Sequence, residues 1–425
     1  MSCGPASGRS RPLPRGTLAT LGDEGFRLFF PLAALYAALF PALWVIAWGF
    51  DLPLAHDVPP SLWHAHEMLI GAFGAAIIGF VTTAAPEWTD TEPPSGRPLW
   101  ALAALWAIGR AVGLFGWDAI GTVGALADLT WIAALIVWLV ALSIRRRTDR
   151  LRAFVFWLTA LFACTAAVRM GFATGDLAMA THGVHLAGFA LLGLLGLALS
   201  RIAVPVTNLV LDPSETTSPF RPHPGRLHLA PGLVLLAMAG EVFGASPAVS
   251  AWLLIAAGAA FLDRVGEAFI GREAARAEIL MLAGSSALAG LGLLLAGAAR
   301  LGAPWSDVTG LHVAFMGGLG LGVYAVFCIA GLLHSGRPLG LPRVVRAGAL
   351  LLVLSVILRV APNLGVNLPG PSHVLASLAW LAAFVLWAIA YWPFVARVNA
   401  ESDPEPSDRP VAQTESAKSL RPAAE

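Results

Sequence analysis

The 425-residue chain is 57% hydrophobic and only 12% charged, with 15 tryptophans and 44 glycines. A soluble domain of this length carries about twice that charge density to cover its surface, so the composition excludes a soluble globule and predicts an all-α, polytopic integral membrane protein in contact with the lipid bilayer. The net charge of +1 gives no ground for a nucleic-acid partner, and Cys3, Cys164 and Cys328 show none of the paired spacings that mark zinc sites, thiol redox motifs or covalent haem attachment.

Residues 1–25 contain Arg9, Arg11 and Arg15 without an apolar core and small-residue cleavage site, and read as a cytoplasmic tail. A window of roughly 20 apolar residues then predicts twelve transmembrane helices. They fall at about 27–50, 62–85, 97–115, 119–143, 152–173, 180–205, 227–246, 248–270, 276–300, 310–333, 343–362 and 373–396. The layout is a first six-helix half (26–210), a cytoplasmic connector (211–226) and a second half (227–397). The polar, Pro-rich 398–425 reads as a disordered cytoplasmic tail.

The tails and even-numbered connections hold 23 of the 27 Lys and Arg, including the run Arg145 to Arg152, so the positive-inside rule puts both termini in the cytoplasm. The four exceptions, Arg110, Arg169, Arg300 and Arg359, end the third, fifth, ninth and eleventh helices on the outer side. Arg110 to Arg300 and Arg169 to Arg359 are both 190 residues apart, and the same shift brings His182 to within one residue of His373. This spacing implies a weak 6+6 parallel repeat.

Seven of the ten histidines map to that outer layer: His56, His64, His66, His182, His185, His312 and His373. Imidazoles are the commonest transition-metal ligands and the usual axial ligands of haem iron, and the planar fork of arginine suits carboxylates such as haem propionates. His64, His66, His182, His185 and His312 are therefore the candidate metal ligands, and Arg110, Arg169, Arg300 and Arg359 the candidate cofactor anchors. His373, like His56, reads first as an interfacial polar residue. On a regular helix His64 and His66 point about 160° apart, so they serve different neighbours. Asp128, about ten residues into the fourth helix, must pair or relay protons. Met68, Met170 and Met316 read as packing or as soft ligands. Trp44, Trp48, Trp63, Trp117 and Trp305 read as an interfacial belt.

The segments "GFRLFFPLAALYAALF", "WHAHEMLIGAFGAAIIGFVTTA", "EWTDTEPPSGRPLWALAALWAIGR", "SRIAVPVTN" and "GLLHSGRPL" resemble, in this order, the NnrS family, over about residues 25–397. That family comprises polytopic bacterial membrane proteins described as containing haem and copper and as protecting cells against nitric oxide, often encoded near denitrification genes. The resemblance implies haem and copper as cofactors, a place in the bacterial inner membrane, and nitric oxide as ligand or substrate with an electron donor still to be identified. It carries over to His64, His66, Glu67 and Arg110, and to His312 and His334. Glu67 reads as a group that orients an imidazole or carries a proton. Glu87 and Asp90 stand where relatives carry Asn and Gly. Three readings follow: a haem–copper protein acting on nitric oxide or iron–nitrosyl species, a haem-binding sensor without turnover, or a twelve-helix secondary transporter whose arginines meet a small anionic solute.

Overall fold

The structure, a computed structural model, describes residues 16–397, so Cys3, the arginines at 9, 11 and 15 and the tail 398–425 lie outside the described residues. A short helix, Thr17–Leu21, occupies part of the expected N-terminal tail. All regular elements among the described residues are helical. Ten are long and apolar enough to cross a membrane: α1 (Gly25–Ala47), α2 (Pro60–Thr89), α4 (Asp118–Arg146), α5 (Arg152–Thr174), α6 (Leu177–Leu211), α8 (Pro247–Ala268), α9 (Ala277–Arg300), α10 (Asp307–Leu333), α11 (Arg343–Leu364) and α12 (Ser372–Val395). Two more, α3 (Arg97–Gly113) and α7 (Arg226–Val242), stand where the third and seventh spans are expected, but have 17 residues each. At 1.5 Å per residue that is about 25 Å, short of a hydrocarbon core of about 30 Å.

Three helices are central. The most apolar windows of α2, α10 and α6 are 83%, 72% and 67% buried, against at most 56% in the other seven. Helix α2 lies among α1, α3, α4 and α6, while α10 lies among α9, α11, α12, α1 and α6. Most other consecutive helices pack as neighbours, and α12 closes back onto α1. That seam is aromatic: Phe30 stacks on Phe327 at 4.5 Å, and Phe327 meets Trp387 at 5.2 Å.

Prolines inside these helices release carbonyls that lipid cannot satisfy. Pro41 removes the amide that would bond Ala37, and the Trp380 indole of α12 donates to that carbonyl at 2.8 Å. Pro231 does the same to Leu227, whose carbonyl takes the Ser200 hydroxyl at 2.9 Å. The connector is ordered as well. Asp212 accepts from Ser214, Thr216 and Thr217, and these hydroxyls, Ser214 foremost, hold its carboxyl below the usual carboxylate range.

Basic side chains gather at one end of the bundle, where Arg150 donates to the Trp88 carbonyl and Arg201 to the Arg150 carbonyl. The candidate histidines of the helix starts sit at the other. Trp63 departs from the expected interfacial belt: it is 1% exposed, donates to Asp118 at 3.0 Å and lies under the Arg169 guanidinium.

Candidate functional site

The expected single polar layer resolves into three separate groups. The first is sealed within the first half. A lone carboxylate at membrane depth costs about 3 kcal/mol, yet Asp128 is 0% exposed. It is held by two guanidiniums, Arg110 Nη2 on Oδ1 and Arg169 Nη2 on Oδ2. Glu67, also fully buried, accepts from Arg110 Nη1 and from the Tyr36 hydroxyl, both at 2.5 Å. His66 Nδ1 donates to Glu67 Oε1 at 2.9 Å, and its Nε2 lies 3.5 Å from Asp128 Oδ2. Two guanidiniums thus face two carboxylates, and the network is neutral with a neutral His66. Arg169 Nε and Nη1 and His66 Nε2 are buried without a hydrogen-bond partner.

Glycine makes the close approach feasible. A Cβ at Gly113 would collide with the Glu67 carboxylate, and one at Gly109 with that of Asp128. Tyr36, Trp106 and these glycines were not singled out in the sequence. The available signal was weak: Gly109 and Gly113 lie one turn apart flanking Arg110, and Tyr36 is one of only three tyrosines.

The second group joins the halves. His64 points away from His66, as their spacing requires. Its ring stacks on Trp44 at 3.9 Å between centroids and, on the same helix as Trp44, on Phe40 at 6.0 Å. His64 Nδ1 is buried with no partner. His312 of α10 and Arg359 of α11 are within electrostatic reach of it, and His373 is within reach of both. His312 Nδ1 donates to the Val308 carbonyl at 2.8 Å, which leaves the lone pair on Nε2. Among the described residues no carboxylate pairs with Arg359. All four side chains are half-buried, in contrast to the sealed network.

Three of the five helices that contribute to this group widen into a π-helix beside it: Leu43–Ala47 in α1, Glu67–Ala72 in α2 and Val313–Gly320 in α10. A π turn displaces the carbonyl ladder and is found mostly at functional sites. Neighbours satisfy the displaced carbonyls: Trp106 Nε1 donates to Gly71 at 2.9 Å, and Ser285 Oγ to Gly318 at 2.7 Å.

The third group surrounds Arg300, which pairs with Glu241 and lies 3.6 Å from Asp307. His185 is half-buried beside them, and His182 is exposed. His334 stands at the opposite end of the bundle, 3.4 Å from Glu87 and against the Phe26 ring. Nearby, burial pushes the Glu24 carboxyl up against the opposing pull of Arg27. The 190-residue shift therefore relates positions but not partners, since Arg110 and Arg169 converge on one aspartate whereas Arg300 and Arg359 do not. Among the described residues no three His, Cys, Asp or Glu side chains form a metal-binding group.

Compared with known proteins, residues 20–398 match the model of a family described as NnrS protein. No curated protein and no solved structure matches the chain.

Proposed function

The chain belongs to the NnrS family, and from that premise we propose that it binds haem and copper and acts on nitric oxide, with the haem held between His64 and His312. One observation carries this reading: two imidazoles on two of the three central helices keep ring nitrogens without hydrogen-bond partners, beside a cation without a carboxylate. The donor set fits the group. His64 and His312 supply nitrogen ligands, Arg359 suits a propionate, and Trp44 and Phe40 offer aromatic faces to an apolar macrocycle. Bound there, ferrous haem would supply an iron that takes nitric oxide as a ligand where one of the two imidazoles yields its place, with copper as a one-electron partner. His182 and His185 are the remaining donor pair for copper, though the nearby Arg300 charge opposes a second cation.

The chain's own residues divide the work. His64 and His312 bind, Arg359 orients, and the Glu67–Arg110–Asp128–Arg169 network fixes the azimuth of α2 so that His64 faces α10. His66 in this reading is a positioning residue. Further parts of the proposal are twelve spans in two parallel halves, cytoplasmic termini and a location in the bacterial inner membrane, with the site on the periplasmic side. The transporter reading is weaker, because Arg110, Arg169 and Arg300, which would meet an anionic solute, are already paired with carboxylates.

Optical and metal analysis of the purified protein tests this. The expected result is a Soret band that is lost in His64→Ala and His312→Ala, weakened in Arg359→Ala and retained in His66→Ala. A folded, colourless and metal-free wild-type preparation overturns the reading.

A further inference from the structure

Phe73 on α2 and Leu319 on α10 each lie seven residues beyond a histidine, His66 and His312 respectively, at the far end of the π segments. Seven helical residues span about 10 Å. There the two helices, with α5 and α6, line a partly open pocket with a cavity volume of about 70 Å³. Every lining residue is apolar or glycine. Part of the wall is interior, Phe73, Leu195, Leu199 and Phe327 being 3%, 6%, 1% and 1% exposed, while Ile77, Phe80, Ala198, Val323 and Val326 are half-buried on its open side.

The chemistry of this wall selects its occupant. Ordered water needs two to four polar partners, and none is present. A metal or haem iron needs a donor atom, and no lining residue carries one. Among the described residues no lysine or arginine lines the pocket, so its wall offers a lipid headgroup no charge. Apolar cavities of this kind stay dry and take small apolar molecules.

We propose that this cavity binds small uncharged apolar molecules of the size of a diatomic gas, drawn from the bilayer and held about 10 Å from the histidine end of α2 and α10. Its use rests on the functional reading above, since nitric oxide belongs to this ligand class. Its existence as a binding site does not.

Xenon is the probe. Crystals of the full-length protein pressurised with xenon are expected to show an anomalous peak between Phe73, Leu195 and Leu319, with a saturable ¹²⁹Xe shift in solution. Ala76→Phe, which puts a ring into the space, is expected to abolish both while leaving the melting temperature and any Soret band as in wild type. No xenon in the wild-type cavity at saturating pressure, or an ordered acyl or detergent chain in its place, overturns the proposal, whether or not the variant folds. Xenon binding requires neither haem nor nitric oxide. A metal-free protein that binds xenon therefore sinks the functional reading alone, and a haem-loaded protein that does not bind it sinks this one alone.

Discussion

Asp128 is the residue on which the first half turns. Its two oxygens take one arginine each, from α3 and α5, and so tie three helices together inside lipid. Asp128→Ala would leave Arg169 without an anion and Arg110 with Glu67 alone, and breaking a buried pair from one side costs about 3–5 kcal/mol. The expected outcome is a melting temperature in detergent lowered by several degrees, with Asp128→Asn intermediate. A variant melting within a degree of wild type would mean that the arginines find other partners. Gly113→Ala should act similarly from the other side of the network by displacing the Glu67 carboxylate. Much of this was legible in the sequence: Glu67, Arg110, Asp128 and Arg169 stand out as charges at membrane depth. Their pairing was not, because hydropathy gives the depth of a residue along a helix but not which neighbour it faces. Tyr36 escaped notice for the same reason, its partner Glu67 being 31 residues away.

At the scale of elements, the helices are irregular where the candidate site lies. Pro41 lies two residues before the π segment that carries Trp44, and the carbonyl it releases is met from α12 by Trp380. Removing that donor leaves an unsatisfied carbonyl in an apolar interior, at a cost of about 1–3 kcal/mol. Trp380→Phe is therefore expected to lower stability by about that amount. Pro41→Ala restores an amide at position 41, so in the double variant the Ala37 carbonyl regains a partner within its own helix. A double-mutant cycle on thermal unfolding should show positive coupling. Additive effects would mean that the indole bond and the proline are unrelated. The hydropathy windows placed most helix boundaries to within a few residues but missed the π turns and the extension of α6 to Leu211. A sliding average sees apolarity, and neither a widened turn nor a helix that continues past Pro205 changes it.

For the whole molecule, the two halves are equivalent in helix count and in the 190-residue spacing of their arginines, yet they pack differently. The most buried helix of the first half is its second, α2, whereas that of the second half is its fourth, α10. A repeat read from charge positions could not reveal this, because burial depends on which faces meet once the halves dock. The halves meet along α1 on α12, α1 on α10, and α6 against α7, α9 and α10. These contacts include the Phe30–Phe327 stack and the Trp380 indole bond, and the candidate site needs His64 from one half and His312 from the other. If non-covalent packing holds the halves, the connector is dispensable once both are inserted. Chains 1–222 and 223–425, cut in the loop between α6 and α7, are expected to copurify when co-expressed. They should regain the Soret band together, and neither should show it alone. Haem retained by the first half alone would place both ligands on that side and remove His312 from the site, whereas copurification without haem would separate docking of the halves from ligand geometry.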